Sequence, residues 1–146
     1  MMKFEVSIVI NRPLEEVFAF LSDLEDNSKW RPGQIEARKT SEGPIGVGTT
    51  YRMVNNVLGR RMEGEAEVTE YEPNRKYAVK SKSGYFPFEA RRIFEPVEGG
   101  TRVRFVLEGE PGGVFKLAEP LVASMAKRRV EADAAILKDL MEARAL

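Results

Sequence analysis

The sequence predicts an α+β fold of seven antiparallel strands and a long C-terminal helix, with two short helices between the first and second strands. Three observations predict it: the N-terminal residues alternate between apolar and polar, the middle of the chain is a series of strand-length runs separated by turn dipeptides, and the C-terminal stretch has helical composition without glycine. At 146 residues the chain has the size of one domain, 1–146, large enough to bury a sizeable core.

Phe4, Val6, Ile8 and Ile10 alternate with Lys3, Glu5 and Ser7, the period of a half-buried first strand. Pro13, followed by Glu15 and Glu16, suits the first turn of a short helix whose apolar stripe is Val17, Phe18 and Leu21. Asp23 to Pro32, with the single tryptophan Trp30, reads as a second short helix or turn that ends before Pro32. From Gln34 to Gly109, Gly43-Pro44, Asn55-Asn56, Pro73-Asn74, Ser83-Gly84 and Gly99-Gly100 punctuate six strands in a meander.

Opposed residues of an antiparallel pair share a face, so the hairpins can be checked against one another. A turn centred on Pro73-Asn74 sets Val68 opposite Val79 inside, with Glu67 opposite Lys80 and Glu65 opposite Lys82 outside. A turn centred on Gly99-Gly100 sets Phe94 opposite Phe105, Arg92 opposite Leu107, Glu95 opposite Arg104 and Arg91 opposite Glu108. Ser83-Gly84 then pairs Val79 with Phe88 and Ser81 with Phe86, which keeps the inward parity across four strands. After Pro111-Gly112-Gly113, helical composition runs from Val114 to the C-terminus. Either the helix begins near Leu121 with Pro120 in its first turn, or an earlier turn is kinked at Pro120. From Leu121 to Arg144 it would be about 36 Å long at roughly 1.5 Å per residue, with Val122, Met125, Ala126, Ile136, Leu137 and Leu140 facing inward.

Composition excludes several chemistries. Twenty-three basic residues balance 23 acidic ones, so no global field draws the protein to nucleic acid or to an anionic membrane. With no cysteine and no histidine, thiolate nucleophiles, His-based triads and most catalytic zinc sites are impossible, and any acid or base must be Asp, Glu, Lys or Tyr. No metal ion is expected. The alternating N-terminus lacks the continuous apolar stretch of a signal peptide or membrane span, so the expected location is cytoplasmic.

The run Asn11-Arg12-Pro13-Leu14-Glu15-Glu16-Val17-Phe18, then Leu21-Ser22-Asp23 and Trp30-Arg31-Pro32-Gly33, resembles the opening of the polyketide cyclase/dehydrase-like branch of the START-like, or SRPBCC, helix-grip superfamily. Gly46-Val47-Gly48-Thr49, Tyr71-Glu72-Pro73-Asn74-Arg75, Gly99-Gly100-Thr101-Arg102-Val103 and the stretch from Glu131-Ala132-Asp133 to Leu137-Lys138 carry the resemblance along the whole chain. It implies a helix-grip fold, a seven-stranded curved antiparallel sheet wrapped around the long helix, with a cavity between them that holds a small hydrophobic molecule, lipid-, polyketide- or aromatic-like. It equally admits a cofactor-free cyclase or dehydratase. A protein-interaction module, with a protein partner or a homodimer, is a third reading, and fold alone does not choose among them.

Strand parity turns Arg92 inward between Ala90 and Phe94, while Arg129 and Asp133, four apart, fall within the apolar stripe of the helix. Charges placed there must pair with each other, with a ligand group or with water. Asp133, Arg92 and Arg129 are therefore the candidate catalytic residues, and the same three are candidate ligand contacts. An ion pair joining helix to sheet is the structural alternative. Because one acid meets two arginines, the surplus positive charge invites an anionic or polar ligand atom. Tyr51, Met53, Met62, Tyr77, Phe86, Phe88, Phe105 and Met125 share the inward parity and complete the candidate lining, with Trp30 at the mouth or in the core. Gly64, Ala66, Ser81 and Ala90 on that face leave volume unfilled. Gly46-Val47-Gly48 reads as a turn, not a phosphate loop, because no helix follows it. Lys127-Arg128-Arg129 reads as a solvated face offset by Glu131 and Asp133.

Overall fold

The computed structural model describes residues 2–57, 59–84, 86–110 and 117–143. The expected Pro111-Gly112-Gly113 break, any helical turn starting at Val114, and the helix end at Arg144 lie outside the described residues. Strand β1 (Met2–Ile10) leads into α1 (Leu14–Leu21), a 3₁₀ helix (Leu24–Lys29) and six strands, β2 (Gln34–Lys39), β3 (Thr50–Val57), β4 (Arg60–Glu72), β5 (Lys76–Ser83), β6 (Phe88–Val97) and β7 (Gly100–Gly109). The last element is α2 (Glu119–Glu142), with Pro120 in its first turn. Pro13 stands just before α1 rather than inside it, with Glu15 and Glu16 in the first turn. Asp23 opens the 3₁₀ helix by accepting a hydrogen bond from the Glu25 backbone N–H at 3.0 Å.

The strands form one antiparallel sheet in the order β1-β7-β6-β5-β4-β3-β2, so the first strand closes onto the last. Val68 lies opposite Val79 and Glu67 opposite Lys80, as the Pro73-Asn74 turn predicts, with Asn74 in the left-handed region at φ 61°. Glu65, however, faces Ser83 rather than Lys82, because the register shifts between Glu65 and Ala66.

The Gly99-Gly100 hairpin differs by two residues. Val97 pairs with Gly100, so the turn sits on Glu98-Gly99, and Gly99 supplies the positive φ of 81°. Gly100 answers to sterics instead, since a Cβ there would overlap the carbonyl oxygen of Ile10, where β1 crosses the end of the hairpin. Phe94 therefore faces Val103, Arg92 faces Phe105, Glu95 faces Arg102 and Arg91 faces Val106. Similarly, Val79 faces Ala90 rather than Phe88, and Ser81 is not paired with Phe86 but accepts a hydrogen bond from the Phe88 N–H at 3.0 Å. An even shift leaves every side chain on its expected face.

Asn55 and Asn56 are not a turn. They continue β3, because Asn55 pairs with Gln34 and the Asn56 N–H donates to the Gly33 carbonyl at 2.7 Å. Gly59, at φ 81°, takes the reversal instead.

The core joins Val17, Phe18 and Leu21 of α1 to Val68, Tyr77, Phe94 and Val103 of the sheet, with Phe18 edge-on to Phe94 at 5.0 Å between ring centroids. The buried seam of α2 is Val122, Asp133, Ala134, Leu137 and Met141. Met125 and Ile136, expected on that seam, are 44% and 36% exposed. The C-terminal half of α2 rests on β1, which turns the seam toward Leu137 and Met141. The N-terminal half is left beside a cleft.

Candidate functional site

Arg92 stands mid-strand on β6 and is buried. Its Nη1 donates to the Leu21 carbonyl at 2.7 Å and its Nη2 to Asn27 Oδ1 at 3.1 Å. The first acceptor belongs to the last turn of α1, where unpaired carbonyls carry partial negative charge. Asn27 is itself buried and donates to Gln34 Oε1 at 3.2 Å, so the guanidinium is held by a fixed amide rather than by a mobile acid. Its plane also lies near Trp30 and Phe105, at 5.3 and 5.9 Å from the ring centroids. Burial draws its pKa down to about 10, which leaves it protonated at neutral pH.

Asp133 does not pair with Arg92. Its side chain is 2% exposed, and its oxygens meet Arg31 Nε at 3.4 Å and Arg129 Nη1 at 3.5 Å. The expected tie between helix and sheet is thus a tie between α2 and the loop that follows the 3₁₀ helix. Burial raises the Asp133 pKa, and the two arginines only partly draw it back. Arg129 is the expected helical neighbour, though 58% of its side chain is exposed. Arg31 lies beyond the reach of periodicity. It belongs to a loop, and the only signal in the sequence that touches it is the Trp30-Arg31-Pro32-Gly33 resemblance.

Two tyrosines complete the polar floor. The Tyr51 hydroxyl donates to Asp23 Oδ1 at 3.2 Å, and burial raises its pKa. Tyr77 lies directly opposite Arg92 in the β5/β6 pair. Its hydroxyl is buried near that of Tyr51 without completing a hydrogen bond, and burial pushes its pKa up to about 12 against the opposing pull of Arg92.

A cleft of about 920 Å³ opens between the sheet, the Asn27 to Gly33 segment and the first half of α2. Of the residues expected to line it, Met53, Tyr77, Phe86, Phe88, Arg92, Met125, Arg129 and Asp133 do so. Trp30 and Phe105 do not. They border a separate hollow of about 90 Å³ that shares Arg92 and Asp133 with the cleft, and Trp30 is part of the buried core rather than the mouth. Tyr51 lies fully within the core, and Met62 is half-buried on β4 away from the cleft. Of the four small residues, only Ala90 borders it. Arg31, Arg128, Asn27, Asn55 and Leu107 line the cleft in addition to the expected set. The two asparagines and Arg31 sit in segments whose sequence reads as turns, while that of Arg128 reads as a solvated face.

Among the described residues no three His, Cys, Asp or Glu side chains are grouped to hold a metal ion. No described helix is long and apolar enough to cross a membrane.

A family model described as polyketide cyclase/dehydrase and lipid transport matches residues 1–142. No curated protein is significantly similar to the chain in sequence. Among solved structures, TTHA0849 from Thermus thermophilus superposes with a TM-score of 0.83 at 23% identity, covering 99% of each chain. A START superfamily protein from Mycobacterium smegmatis gives 0.79 at 18% identity over 95% of this chain and 96% of that one. DR_A0006 from Deinococcus radiodurans gives 0.72 at 18% identity over 97% and 98%. At these identities the likeness is one of fold.

Proposed function

The chain belongs to the polyketide cyclase/dehydrase and lipid transport family, and from that membership we propose that it binds a small, mostly apolar molecule in the cleft between sheet and α2. The observation that carries the reading is the cleft itself. Its volume falls in the range of small-molecule sites, about 300–1,000 Å³, and Met53, Val79, Phe86, Phe88, Leu107 and Met125 give it an apolar wall around a few polar groups. Methionines on opposite walls can adjust to ligands of different outline.

N-phenyl-1-naphthylamine, an uncharged probe that fluoresces in apolar surroundings, should bind saturably. Ala126 borders the cleft from α2, so Ala126→Phe should occupy part of it and weaken the signal severalfold while the circular dichroism spectrum is retained. An absence of saturable binding to the parent protein would sink the proposal, as would undiminished binding to the variant.

A second reading, cofactor-free cyclisation or dehydration, draws support from the acid-base groups at the cleft. Asp133 is a buried carboxyl shifted toward its protonated form, and Tyr77 offers a hydroxyl that completes no hydrogen bond among the described residues. Its signature is loss of water from an added poly-β-keto chain, followed by mass spectrometry. That loss should vanish in Asp133→Asn while binding persists.

A further inference from the structure

We propose that the molecule held in the cleft is an acid bound as its anion, with the head group seated on the Arg92 guanidinium and the Tyr77 hydroxyl and the tail along the apolar wall. This deepens the binding reading above and rests on it. The chain as a whole is neutral, 23 basic residues against 23 acidic, yet among the described residues the charged ones lining the cleft are Arg31, Arg92, Arg128 and Arg129 against Asp133. The excess is therefore local. Asp133 is already engaged by Arg31 and Arg129, and among the described residues no carboxylate forms an ion pair with Arg92.

The partners Arg92 does have are neutral dipoles, the Leu21 carbonyl and the Asn27 amide. They fix the direction of the guanidinium and use two of its five N–H donors, leaving others to meet a ligand oxygen. Tyr77 is its cross-strand neighbour, so the two side chains stand together on the inner face. Among the described residues the buried Tyr77 hydroxyl completes no hydrogen bond, and the Tyr51 hydroxyl beside it is committed to Asp23. A neutral, apolar ligand would leave that hydroxyl unsatisfied and the buried charge offset by dipoles only. A carboxylate accepts from both donors at once, in surroundings where charge-assisted hydrogen bonds are strong. Arg128 and Arg129 toward the rim would steer an anion inward.

Dodecanoate and dodecanol share a chain and differ in the head group, so displacement of N-phenyl-1-naphthylamine by each at pH 8 separates the head from the tail. The acid should compete about tenfold or more better than the alcohol. Tyr77→Phe removes only an unpartnered hydroxyl and should fold normally, and Arg92→Gln keeps hydrogen-bonding capacity without charge. Each should weaken binding of the acid more than that of the alcohol and so cut the advantage of the acid severalfold. Equal competition by acid and alcohol overturns the inference while the binding reading stands. No binding of the reporter or of either competitor overturns both. An advantage of the acid that persists in both variants places the anion at the rim arginines and overturns the seat proposed here.

Discussion

Asp133 shows how much one side chain can carry. Both of its arginine contacts, at 3.4 and 3.5 Å, are long for charge-assisted bonds, and burial raises its pKa despite them. A carboxyl whose folded pKa exceeds its unfolded one binds its proton more readily in the native state. Its contribution to stability is then fully present below the ordinary value, about 3.9, and is lost as pH rises through the folded value. Asp133→Asn cannot ionise, so the parent protein should lose stability relative to this variant as pH climbs from about 3.5 toward 7. Urea unfolding of both proteins across that range measures the difference, and a flat difference refutes the shift. Arg31 and Arg129 keep access to water, at 32% and 58% exposure, so the substitution strands neither. The pairing of Arg129 with Asp133 is legible in sequence because helical spacing alone brings them together. That of Arg31 is not, since a loop residue has no period from which its direction can be read.

At the scale of elements, turn chemistry proved a weaker guide than strand parity. A double glycine suggests its own midpoint as the turn, but here the two glycines answer different constraints. Gly99 provides a left-handed backbone, while Gly100 lets β1 pass, and only the first is a turn signal. Gly100→Ala should therefore cost about 3 kcal/mol, because backbone rather than a flexible side chain must yield. Gly46→Ala, with open space at its Cβ and no positive φ, should stay within about 0.5 kcal/mol. Thermal or denaturant unfolding of the two variants is the check, and equal stability would contradict the assigned roles. Asn55-Asn56 failed as a turn for a related reason: pairing with Gln34 and the bond to the Gly33 carbonyl keep those residues in β3, whatever their local preference.

For the molecule as a whole, the pairing of β1 with β7 brings Ile10 beside Thr101 and binds the start of the chain into the sheet. The C-terminal half of α2 then covers that side with Leu137 and Met141. β2 is the opposite edge strand, joined among the described strands to β3 alone and interrupted by an irregularity at Gln34/Glu36. Amide hydrogen exchange should accordingly be slowest from Val103 to Phe105 and in the facing half of β1, and fastest among the strands in β2. Protection of β2 equal to that of β7 would show that the edge is more firmly held than its pairing implies. The cleft lies where α2 no longer rests on the sheet.

By itself the sequence determined the α+β class, the seven strands, the long helix and the inward direction of Arg92 and Asp133. The faces follow from periodicity, which a register shift of two residues leaves intact, and the elements themselves from turn dipeptides and composition as well. Only the tertiary structure decided which residues meet. Arg92 found the end of α1 and Asn27 instead of Asp133, Asp133 found Arg31, and Trp30 and Tyr51 entered the core while Arg31 and Arg128 came to line the cleft. The physical reason is that periodicity gives the direction of a side chain relative to its own element. Its partner depends on where other elements end and how loops return, and those distances exist only in the folded chain.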